Sequence, residues 1–144
     1  MTDLPKLEDF PYQDYDKLRY DDMDTLGHVS NVIFANLMAT GRAGVLNYPG
    51  IDAWTNKSLT FVLARLEIDY RAELFWPGTV QVGTGVKSIG NSSLVLTQAL
   101  YQEQKRVATG ISVMVQVDAS THRPLPLSAE TRAILAGLML KAPV

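Results

Sequence analysis

Cysteine is absent from the 144 residues. That excludes disulfides, thiolate catalysis and any metal site built on sulfur ligands. Histidine is nearly absent too, with only His28 and His122, so a zinc centre is not expected and no metal is assigned. No apolar run reaches the roughly 18–20 residues that span a bilayer, so no membrane partner is expected. Neither charge dominates: 13 basic and 15 acidic side chains leave a formal net charge of -2. Such a surface offers no basic footprint for nucleic acid. The opening MTDLPKLEDF lacks the basic and apolar segments of a secretory signal, which makes a cytoplasmic location the expectation. There is no G-x-S-x-G nucleophile motif. The stretch GVKSIGNS, from Gly85 to Ser92, misses the phosphate-loop pattern because Asn91 stands where lysine is required.

What is present fits one domain. Residues 1–16, with two prolines and several charges, read as an N-terminal arm, and 17–144 as a single folded unit. A short strand is expected from Lys17 to Asp21. Next, SNVIFANLMATGRAGVL, from Ser30 to Leu46, predicts a helix capped by Ser30 or Asn31 and stopped by the Asn47–Gly50 turn residues. Ile33, Phe34, Leu37 and Met38 cover more than one face, a pattern of a helix buried nearly all round. Four strands follow: Phe61–Glu73, Thr79–Ile89, Ser92–Glu103 and Arg106–Asp118. In the last, Val107, Ile111, Val113, Val115 and Val117 share one parity. A final helix is expected from Ser128 to Leu140. Helix and strands segregate, so the class is α+β, with an antiparallel sheet curled round one buried helix. A helix this apolar needs more cover than one sheet provides, which predicts a homo-oligomer.

Polar chemistry concentrates in RYDDMDTLGHVSN, Arg19 to Asn31. Asp21, Asp22, Asp24 and His28 precede a helix N-terminus, where free backbone N–H groups and the positive dipole end can hold an oxyanion. Gly27 allows a tight approach. Plain structural roles also fit these residues: Asp24 as a turn cap, His28 as a hydrogen-bonded support, Ser30 as a helix cap.

The segment RYDDMDTLGHVSNVIFANLMATGR resembles the signature of the 4-hydroxybenzoyl-CoA thioesterase type of hot-dog proteins, roughly R-Y-x-D-x-D-x-x-G-H-V-N-N-x-x-Y. The segments FVLARLEIDYRAEL, VGTGVKSIGNSSLVL, VATGISVMVQVD and RPLPL resemble it as well. The resemblance implies a hot-dog fold, a five- to six-stranded antiparallel sheet around a long central helix, with active sites at a dimer interface and dimers often paired into tetramers. It implies no cofactor. Asp24 takes the position of the catalytic carboxylate, and the backbone N–H of Asn31 that of the carbonyl-polarising donor. His28 becomes loop support, and Gly27, Phe34, Leu37, Met38, Ser92 and Ser93 become substrate contacts. Three departures touch the acyl pocket: Ser30 replaces the first asparagine, Phe34 the tyrosine, and Thr40 a glutamate two residues before Arg42.

The implied activity is hydrolysis of an acyl-CoA or acyl carrier protein thioester. A lone carboxylate suffices for it as base or nucleophile, because the thiolate leaves easily. Two alternatives remain at this level. One is a hot-dog hydratase or dehydratase using Asp24 and His28, although no Asn-Pro of the hydratase type occurs. The other is a non-catalytic acyl-CoA-binding protein. Phe34, Leu37 and Met38 predict an apolar acyl group. Arg65, Arg71, Lys87, Lys105 and Arg106 are candidate contacts for the thiol carrier.

Overall fold

The computed structural model describes residues 5–141. Five antiparallel strands form one sheet: β1 (Tyr12–Lys17), β2 (Leu59–Tyr70), β3 (Thr79–Ile89), β4 (Ser93–Gln102) and β5 (Lys105–Asp118). Their spatial order is β1-β3-β4-β5-β2. Helix α1 (Asn31–Leu46) has 16 residues, and α2 (Ala129–Ala136) follows β5.

The sheet curls about α1, as the expected hot-dog architecture requires. A side chain at Gly41 would strike Thr84 and Val82 of β3 and Gln98 of β4; one at Gly44 would strike Tyr12 of β1, and one at Gly110 of β5 would strike Met38. Backbone therefore meets side chain at each of these contacts, which is how a helix is seated deep in a curved sheet. Gln98 secures the seat by donating Nε2 to the Met38 carbonyl and to Thr84 Oγ1, each at 2.9 Å. One cluster of buried residues, including Leu18, Phe34, Leu37, Met38, Val82 and Leu100, packs under the first half of α1. A second, with Val45, Leu96, Met114 and Leu135, joins the second half of α1 to α2.

Three local expectations are corrected. The first strand is Tyr12–Lys17, paired with β3 from Tyr12↔Thr84 to Lys17↔Thr79, not Lys17–Asp21. Residues 12–16 of the expected arm thus lie within the sheet. As an edge strand, β1 leaves four of its six residues exposed, so its sequence shows no apolar alternation, and Pro11 precedes it where proline is tolerated. Tyr20–Asp22 instead forms a 3-10 turn. Second, α2 stops at Ala136. Gly137 and Leu138 turn, and Met139 then bridges Val86. Third, α1 is not buried all round within one chain: Val32 is 61% exposed, and Asn36 and Ala39 are exposed.

The parity of β5 is the informative surprise. Ala108, Gly110, Ser112 and Met114 are buried on the side facing α1, while Ile111, Val113 and Val115 on the alternate side are half-buried. Small residues are needed where the helix lies close; the β-branched row serves the outer face of the sheet. On that outer face Phe10 covers Gly83 and meets Tyr101 edge-on at 6.5 Å. Beside them lies a cavity of about 330 Å³ whose rim includes Glu67, Asp69, Arg71 and Arg106.

Candidate active site

Residues 22–30 form a miniature hairpin that feeds directly into α1. Ser30 N donates to the Asp22 carbonyl at 2.9 Å, Met23 bridges Val29, and Asp24 N donates to the His28 carbonyl at 2.8 Å. The tip closes with Gly27 N on the Asp24 carbonyl at 3.1 Å, and Gly27 has φ of +80°. That left-handed conformation is what glycine supplies there.

Asp24 is an element of this turn. Its Oδ1 accepts from Leu26 N at 2.9 Å and His28 N at 3.2 Å. The turn-capping role and a chemical role need not compete, because they use different atoms. Among the described residues no hydrogen bond engages Asp24 Oδ2, and the residue is exposed. The turn aims the carboxylate without consuming it.

At the base of the hairpin, Ser30 caps α1 and accepts from Val32 N at 3.4 Å. The Asn31 N–H, the first of the helix, meets no acceptor among the described residues. It stays available at the positive end of the helix dipole. Asp24 stands two residues up the ribbon from the Asp22–Ser30 pair, roughly 7 Å at strand rise.

The end of β2 completes the neighbourhood. Tyr70 donates its hydroxyl to the Asn31 carbonyl at 3.2 Å and meets Phe34 edge-on at 5.1 Å. His28 Nδ1 lies 2.6 Å from Glu73 Oε1. Neither Tyr70 nor Glu73 was singled out from the sequence. Tyr70 sat unmarked in a period-two strand, and Glu73 in its tail. No local spacing links either residue to the hairpin.

The structure thus gathers Asp24, Gly27, His28, Asn31 and Phe34. Leu37 and Met38 lie deeper along α1, both in the core, with Met38 against Gly110. Ser92 and Ser93 are not brought in within one chain. They form the turn before β4, where Ser93 pairs with Val115, whereas the hairpin end of the sheet is marked by Leu100 opposite Ala108. The separation along β4 is roughly 23 Å at strand rise. Arg71 and Arg106 of the basic candidates line the outer-face cavity, which includes neither Asp24 nor Asn31. Arg65 pairs with Glu67. Arg42 is buried, its Nη1 has no partner among the described residues, and burial pushes its guanidinium below the usual arginine range. Among the described residues no group of three His, Cys, Asp or Glu side chains could hold a metal, and no helix is long and apolar enough to cross a membrane.

No curated protein sequence matches the chain significantly. Solved structures do. The PA5185 protein of Pseudomonas aeruginosa superposes with a TM-score of 0.86 at 29% identity, over 96% of this chain and 99% of that one. A protein described as a predicted thioesterase from Bacillus stearothermophilus gives 0.82 at 26%, over 92% and 98%. A Thermus thermophilus thioesterase, solved with coenzyme A and zinc, gives 0.74 at 29%, over 88% and 98%. The sequence profile of the thioesterase-like superfamily matches residues 18–135, and with that span the chain belongs to this superfamily.

Proposed function

We propose that this thioesterase hydrolyses an acyl-CoA or acyl carrier protein thioester to free acid and thiol, with Asp24 as the reacting carboxylate. The observation that carries the reading is the hairpin. It fixes Asp24 through Oδ1 and runs straight into α1, and among the described residues neither Asp24 Oδ2 nor the first N–H of the helix has a hydrogen-bond partner. A thioester carbonyl accepting from Asn31 N–H lies beside that carboxylate. Acting as base, Asp24 takes a proton from water as the oxygen adds to the carbonyl carbon. The C–S bond then breaks and the thiolate leaves. Acting as nucleophile, Asp24 attacks the carbonyl carbon and expels the thiolate as the C–S bond breaks, leaving a mixed anhydride that water cleaves to the free acid and the aspartate. In both routes the Asn31 amide meets the developing oxyanion, a contribution of about 3–4 kcal/mol for a well-placed donor.

The apolar surface near the hairpin supports an apolar acyl group. Leu26 is 79% exposed at the tip and Tyr70 50% exposed at the end of β2. The same surface supports an active site completed by a second copy. In a two-fold antiparallel pairing of β2 edges, the Leu59 end of one strand abuts the Tyr70 end of the other. Val62 pairs with Val115, and Val115 with Ser93. The Ser92–Ser93 turn of the second copy then falls at the level of the first copy's hairpin, although one chain alone keeps them apart.

A panel of aliphatic, aryl and charged acyl-CoAs, with free thiol as the readout, tests the proposal. Preferred turnover of apolar acyl groups is expected. Hydrolysis of none of them, or preference for short charged acyl groups, overturns the reaction or the pocket respectively.

A further inference from the structure

Residues 24–28 are exposed without exception; burial begins at Met23, which is half-buried, and at Val29, which is buried. Within one chain the hairpin is therefore not held by packing at its working end. Its internal hydrogen bonds fix its shape but not its direction. Among the described residues, one polar contact runs from residues 24–28 to anything outside the hairpin: His28 Nδ1 to Glu73 Oε1, at 2.6 Å.

Glu73 is a firm post for such a contact. On one side Arg71 N and Ala72 N both donate to the Val107 carbonyl, at 2.9 and 3.1 Å. On the other, Leu74 is buried in the core, and Phe75 is held by Gln102 through both its N–H and its carbonyl, each at 2.9 Å. His28 in turn is joined to Asp24 twice: its N–H donates to Oδ1 and its carbonyl accepts from Asp24 N. A displacement of His28 is thus a displacement of Asp24.

We propose that Glu73 is a positioning residue, which aims the Asp24 carboxylate by gripping the His28 imidazole. The proposal rests on the reading of Asp24 as the reacting carboxylate. A carboxylate only accepts, so the hydrogen of this contact sits on Nδ1, which selects the Nδ1–H form over the Nε2–H tautomer. Both side chains are about half exposed. A pair at that exposure adds little to global stability, so its removal is visible in the site and not in the melting temperature.

Three measurements on Glu73→Ala and Glu73→Gln test this. The amide oxygen of the glutamine variant still accepts from Nδ1–H. First, long-range proton–nitrogen NMR reads the tautomer of His28, with His122 as the internal reference. The Nδ1–H form is expected in wild type and Glu73→Gln, and its loss in Glu73→Ala. Second, hydrogen exchange at the Leu26 and His28 amides, which bond Asp24, is expected to quicken in Glu73→Ala alone. Third, Glu73→Ala is expected to lower kcat about 10- to 100-fold, the scale of misplacing a reacting group by about 1 Å. KM and melting temperature should be unchanged, Glu73→Gln should be near wild type, and Glu73→Ala should cost nothing further in an Asp24→Asn background. An unchanged tautomer and exchange rate in Glu73→Ala overturn the grip. An equal loss of kcat in the Asp24→Asn background overturns action through Asp24. Absence of thioesterase activity, or full activity of Asp24→Asn, overturns the reading of Asp24 instead and leaves the two NMR measurements to decide the grip by themselves.

Discussion

Asp24 illustrates how a turn-former becomes a reagent. Carboxylates favour turns because a short side chain can accept from the amides just downstream, and Asp24 Oδ1 does so with Leu26 and His28. Asp24→Asn preserves that acceptor, since the amide oxygen can take both bonds, but it removes the anion. Turnover is expected to fall by about 10²–10⁴, the range for loss of a general base, with the circular dichroism spectrum and melting temperature close to wild type. A variant that folds and keeps most of its activity would remove Asp24 from the chemistry. At this scale the sequence was legible where the relevant neighbours are local. Asp24, Gly27, His28 and Asn31 fall within one turn-to-helix unit, so their spacing carries their geometry. Glu73 and Tyr70 were illegible because strand pairing and the curl of the sheet bring them in, and no period or motif in the chain encodes that meeting.

Among the elements, α1 and the four long strands were readable from periodicity, capping and turn residues, and their bounds agree to within a few residues. What periodicity could not say is which face of a strand meets the helix. In β5 the valine and isoleucine parity was legible but not its face; Ala108, Gly110 and Ser112 take the helix side, and at Gly110 the Met38 side chain fills the space that a Cβ would need. β1 was missed for a related reason: an exposed edge strand has no core face to write into its sequence. Close seating makes Gly41 sensitive. A Cβ there would lie 2.6 Å from Gln98 Nε2 and 2.9 Å from Val82 Cγ1. Gly41→Ala is expected to destabilise the fold by about 1–3 kcal/mol through overpacking, read as a lower denaturation midpoint; an unchanged midpoint would mean that α1 is seated more loosely. The end of β5 carries a separate pH signature. Asp118 Oδ1 accepts from Ser120 N and Thr121 N, each at 2.8 Å, and these backbone donors hold its carboxyl below the usual carboxylate range. With the folded value depressed, the stabilisation is present above the unfolded value of about 3.9 and is lost as pH falls through the folded one. Asp118→Asn should therefore melt below wild type at neutral pH, and the gap should close in acid. A gap that stays constant with pH would show that ionisation of Asp118 contributes nothing.

The molecule as a whole leaves one long boundary unfinished. β2 has twelve residues and, among the described residues, pairs only with β5, so within them its other edge presents a row of unpaired N–H and C=O groups. Val62 and Leu63 on it are 39% and 43% exposed. Arg65, Glu67 and Asp69 interrupt its apolar residues, but among the described residues neither a proline nor a covering element blocks a second strand from pairing there. Beside it, Val32 and Tyr70 extend the apolar surface to the start of α1, the face of the helix that one chain leaves open. Light scattering is accordingly expected to give a dimer or a multiple of it at micromolar concentration. Leu63→Lys places a charge on the edge and should yield a monomer. Leu63 lies seven residues from Tyr70, roughly 23 Å along the strand, so the substitution cannot disturb the hairpin of its own chain directly. If the monomer also loses turnover, and a concentration series of the wild type shows activity rising with assembly, the site needs the second copy. A Leu63→Lys chain that remains a dimer would move the interface to the loops that lead into α1. A fully active monomer would confine the site to one chain and leave Ser92 and Ser93 outside it.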